Sequence, residues 1–102
     1  MAAYRRLDFG RVNRAALACF DDILRRWLPG GKFEGSEYVV RNPTRFDHRC
    51  GSFKINVRSG KWGDFAADVG GGDPISLAAY LFRLSQYEAA QRLAEMLGIT
   101  DG

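Results

Sequence analysis

Residues 52 to 65, SFKINVRSGKWGDF, constrain this chain more than any other stretch. Phe53, Ile55 and Val57 alternate with Lys54, Asn56 and Arg58, which is the period of a strand with one apolar and one polar face. Ser59-Gly60 reads as a hairpin turn, and Lys61 to Phe65 as the returning strand. A two-residue loop sets Arg58 opposite Lys61 and Val57 opposite Trp62. Cross-strand partners share a face, so with this loop Trp62 joins Phe53, Ile55 and Val57 in the core, whereas a three-residue loop would turn it outward. Lys54, Arg58 and Lys61 then lie together on the outer face.

A third strand is expected at Glu37 to Arg41, separated from the hairpin by a loop that opens with Asn42-Pro43-Thr44-Arg45. Helices flank this sheet. Val12, Ala16, Cys19, Phe20, Ile23, Leu24 and Trp27 recur at helical spacing and predict one helix over about 11–28, stopped by Pro29-Gly30-Gly31. Asp8 or Asn13 serves as its cap. Asp73-Pro74 places a capping carboxylate before a first-turn proline and opens a second helix, with Ile75, Ala78, Ala79 and Phe82 on its buried face. Ser85 and Glu88 form a capping box for a third helix, which ends at Gly98. The expected fold is α+β, a small antiparallel three-stranded sheet packed against an N-terminal helix and two C-terminal helices.

At 102 residues the chain suits a single domain over 1–102, and 46% hydrophobic residues can supply its core. No apolar run approaches the ~20 residues of a membrane span, and the start carries no apolar signal core, so a cytoplasmic protein with free thiols at Cys19 and Cys50 is expected. Net charge is only +3, but it is unevenly spread. Residues 41–61 carry six cations, Arg41, Arg45, Arg49, Lys54, Arg58 and Lys61, against Asp47 alone. The remainder carries nine cations and eleven anions. A basic centre of this kind suits backbone phosphates, with Tyr38, Phe46 or His48 available to stack unpaired bases. A solvated strand face is the plainer account of the same charges.

Catalysis finds little support. His48 lies in a polar loop beside Asp47, with no pocket implied, and nothing activates Cys50. Asp64, Asp68 and Asp73 match no calcium-loop spacing. The run Gly70-Gly71-Gly72 matches no phosphate-loop pattern, and the Asp73 carboxylate competes for the helix N–H groups a phosphate would use. Its glycines are better read as allowing close approach of strand and helix.

Taken in order, Asn42-Pro43-Thr44-Arg45, Gly51 to Val57, Lys61 to Asp68, Gly71-Gly72-Asp73-Pro74-Ile75 and Leu97-Gly98-Ile99 resemble the zinc-binding N-terminal domain of bacterial-type DNA primases, with the likeness running over about 37–99. Leu28-Pro29-Gly30-Gly31-Lys32 and Trp62-Gly63-Asp64-Phe65-Ala66 are similar to a zinc-less form of it in primase-helicase and replication proteins of phages, plasmids and integrative elements. The resemblance assigns the four metal-ligand positions to Asn42, Arg45, Phe65 and Asp68, which are not a zinc ligand set. It implies no metal or other cofactor, apolar packing of Phe65 in the old site, and an Arg45–Asp68 ion pair. It also implies a non-enzymatic DNA replication module. That module would contact single-stranded or primer-template DNA through Arg41, Arg45, Arg49, Lys54, Arg58, Lys61, Tyr38 and Phe46. The alternative is a module that docks onto a primase, polymerase or helicase.

Overall fold

The computed structural model describes residues 7–45 and 51–99. It opens with α1 (Phe9–Ala18), capped by Asp8, whose carboxylate accepts the Arg11 N–H at 3.1 Å. The single helix expected over 11–28 is instead two, because α2 (Phe20–Trp27) starts afresh after Cys19. No proline or glycine marks the break. At Cys19 the backbone N–H reaches Ala16 O, one residue short of the helical partner, and the thiol donates to the Ala15 carbonyl thus released. Both helices still bury the expected stripe, Val12 and Ala16, then Phe20, Ile23 and Leu24.

The sheet has five antiparallel strands in sequential order rather than three. They are β1 (Lys32–Glu34), β2 (Glu37–Val40), β3 (Phe53–Asn56), β4 (Trp62–Asp64) and β5 (Val69–Gly71). The central three match the expectation; the two short outer strands extend it. α3 (Pro74–Phe82) and α4 (Gln86–Met96) complete the chain. Both expected caps are present: Asp73 accepts the Ser76 N–H at 2.8 Å, and Ser85 with Glu88 closes a capping box. Beyond α4, Gly98 takes φ 71° and the Ile99 N–H returns to Ala94 O. No helix among the described residues is long and apolar enough to cross a membrane.

The hairpin register differs from expectation by two residues. Ile55, not Val57, faces Trp62. The cause is local: the Asn56 side-chain oxygen accepts the N–H groups of Arg58 and Ser59, both at 2.9 Å, and Gly60 N–H bonds to Asn56 O. These bonds close a wider turn over 57–60. A two-residue shift preserves each side chain's face, so Trp62 remains in the core with Phe53 and Ile55. Arg58, however, leaves the sheet for the turn.

The core lies between one sheet face and the helices. Trp62 packs edge-on to Phe53 and donates its indole N–H to Ser76 Oγ at 2.9 Å. This contact explains Gly71, the middle glycine of the run. A side chain at Gly71 would collide with Ser76 Oγ and the Trp62 indole. The α3 N–H groups are also occupied, Ser76 by Asp73 and Ile75 by the Asn13 side chain at 3.0 Å. The helix start is a packed junction, consistent with the close-approach reading. Gly71→Ala is expected to cost about 1–3 kcal/mol through overpacking, measurable as a lowered Tm in thermal denaturation.

Candidate nucleic-acid interface

Alternation along β4 decides what each face carries. Trp62 and Asp64 point inward, and Gly63 and Phe65 point outward. Asp64 is thereby carried into the interior, where it is 1% exposed. Partners from three parts of the chain meet it. Asn42 donates its amide to Asp64 Oδ2 at 2.8 Å, and Arg45 reaches the same oxygen at 3.0 Å. The Ala66 N–H takes Oδ1 at 2.9 Å. Asn42 also donates to the Tyr80 hydroxyl on α3 at 2.9 Å, while its own oxygen accepts the Thr44 N–H and hydroxyl. The loop after β2 is thus tied to β4 and α3 by one polar cluster. Burial pushes the Asp64 carboxyl up, but hydrogen bonds from Asn42, Ser52, Arg45 and Ala66 outweigh it and hold it at about 2, below its ordinary 3.8.

Two sequence expectations are corrected here. The carboxylate that Arg45 meets is Asp64, not Asp68. Asp68 sits exposed in the β4–β5 turn at φ 55°. Phe65 does not fill an old metal site; it is 79% exposed, because the inward position beside it belongs to Asp64.

The basic residues divide. Lys54 on β3 and Lys61, opposite Asn56, share the outer face, and Arg58 projects from the adjoining turn. Arg41 is exposed at the end of β2. Arg45 turns inward to Asp64. Tyr38 is also corrected: it is 2% exposed, and its hydroxyl donates to Leu28 O at 2.6 Å and accepts the Gly31 N–H. Its ring is core, closed off from any base. Phe46, Asp47, His48, Arg49 and Cys50 lie outside the described residues. Lys32, from the unexpected β1, belongs to the outer face through its pairing with Val39. Sequence reading missed Phe65 as an outward aromatic, although the alternation of 62–65 carried that signal.

The fold is similar to the crystal structure of the Aquifex aeolicus primase (zinc binding and RNA polymerase domains), with a TM-score of 0.75 and 24% identity. The match covers 96% of this chain and 23% of that one. No family profile matches the sequence. No curated protein matches it either. The likeness establishes a primase-like α+β fold.

Because that structure includes a zinc-binding part, the ligand positions assigned by resemblance can be tested against their side chains. They do not fit zinc. The Asn42 amide is spent on Asp64 and Tyr80, Arg45 is a cation in an ion pair, Phe65 is a hydrocarbon facing solvent, and Asp68 is exposed. Among the described residues, no three His, Cys, Asp or Glu side chains gather into a metal-binding group.

Proposed function

We propose that this chain is a non-catalytic module of a DNA replication system that binds single-stranded DNA through the outer face of its sheet. The observation that carries this reading is the arrangement of Lys54, Lys61 and Arg58 on and beside one solvent-facing hairpin surface, with Arg41 exposed at the end of the neighbouring strand. The likeness to a primase supports replication as the setting. The finer reading is a zinc-less module of a phage, plasmid or integrative-element replication protein, working in the cytoplasm. It is supported by the polar cluster at Asn42, Asp64 and Arg45, which does with hydrogen bonds what a metal would otherwise do.

A salt titration of single-strand binding tests the proposal. With three or four phosphates engaged, log affinity should fall against log salt with a slope of about −2 to −3. Lys54→Glu with Lys61→Glu should weaken binding to all sequences alike and flatten that slope by about 1 or more. Excess EDTA should leave the Tm unchanged, and stoichiometric zinc in the purified protein would refute the metal-free reading.

A second reading, docking onto a replication protein, is favoured by the apolar groove among α2, α3 and α4. Trp27 stands edge-on to Phe82 there at 5.4 Å, and Phe82 and Met96 are 48% and 43% exposed. On that reading no single-strand binding is measurable even at low salt.

A further inference from the structure

Phe65 is the most exposed large apolar side chain among the described residues, at 79%. An isolated surface phenylalanine needs no explanation, but its surroundings here are specific. The Phe65 N–H bonds to Ser52 O at 3.1 Å, which continues the β3–β4 ladder and fixes the residue on the outer face. On that face it borders a shallow depression of about 330 Å³ shared with Lys54, Asn56, Lys61 and Gly63, with Glu37 as its one carboxylate. Gly63 lies between Lys61 and Phe65 on β4 and pairs with Lys54 on one side and Gly70 on the other, so the floor of the depression next to Phe65 is bare backbone at Gly63. An aromatic face beside a flat floor, rimmed by two ammonium groups, is complementary to a planar base with flanking phosphates.

We propose that Phe65 is a base-stacking site for single-stranded DNA: one unpaired base lies against its ring over the Gly63 backbone, and Lys54 and Lys61 hold the neighbouring phosphates. This rests on the DNA-binding reading above and adds its stacking residue. Lysine charges alone attract any polyanion; the ring makes the site prefer an unpaired base.

The test uses a labelled oligothymidylate and a matched strand of abasic residues, titrated at low salt in fluorescence anisotropy. Phe65→Ala should bind oligothymidylate about 10-fold more weakly, while the abasic strand is bound equally by both proteins. Phe65→Tyr should restore the loss. Because the side chain is exposed, the variants should melt with the parent, and this is checked first. Equal oligothymidylate affinity in parent and Phe65→Ala, with salt-dependent binding retained, overturns the stacking site and leaves the DNA-binding reading standing. No binding of either strand by the parent overturns both.

Discussion

Asn42→Ala is expected to lower the Tm by about 10–20 °C, corresponding to roughly 3 kcal/mol in a domain of this size. Asn42 is 2% exposed and makes four hydrogen bonds, two given to Asp64 and Tyr80 and two taken from Thr44. Alanine removes all four and strips a donor from a buried carboxylate. That is costlier than losing a hydrogen bond at the surface, because the group left behind cannot turn to water. The Asp64 carboxyl gives the same cluster a pH signature. Its folded value is about 2, against 3.8 when free, so the unfolded chain binds its proton first as pH falls. The stabilisation, about 2 kcal/mol, is complete above pH 5 or so and is lost as pH drops through about 4 towards 2. Arg45→Leu should therefore be costly at pH 7 and clearly less costly near pH 2, where about half of the folded carboxyls are protonated. Asp64→Asn should flatten the parent's Tm decline between pH 4 and 2. An Arg45→Leu penalty of equal size at both pH values would sink the assignment of Asp64 as its partner.

What was legible in the chain followed the range of the forces involved. The helix starts at Asp73 and Ser85 are set by residues three apart, and both formed as read. The faces of β3 and β4 depend only on alternation, so Trp62 was placed in the core even though its partner was misassigned. The register was lost to one side chain. Asn56 organised a wider turn, and nothing in Ser59-Gly60 announces which turn will form. The outer strands were invisible for another reason. Lys32–Glu34 and Val69–Gly71 have three residues each and little apolar content, and are strands because a neighbour supplies their hydrogen bonds. The polar cluster is the least local feature of all. Asn42 lies 22 residues from Asp64 and 38 from Tyr80, and only the completed packing of sheet on α3 brings them together. The resemblance drew attention to Asn42 and Arg45 but gave Arg45 the wrong acid, because a metal's four ligand positions do not dictate which neighbour replaces the metal.

Tyr38→Ala is expected to cost about 4 kcal/mol, a large share of the roughly 5–15 kcal/mol that keeps a domain folded. The ring packs against Phe33 at 4.7 Å between centroids, and its hydroxyl joins the end of α2 to the first residues of the next turn through Leu28 O and Gly31 N. Tyr38→Phe separates the two contributions. It keeps the ring, removes both hydrogen bonds, and should cost about 1–3 kcal/mol by leaving a carbonyl and an N–H without their partner. The functional consequence is a null result with a sharp meaning. Since the ring is buried on the helix side of the sheet, Tyr38→Phe should bind single-stranded DNA with unchanged affinity per folded molecule, while Phe65→Ala should not. A Tyr38→Phe protein that melts with the parent yet loses DNA affinity would put the nucleic acid on the opposite face of the sheet.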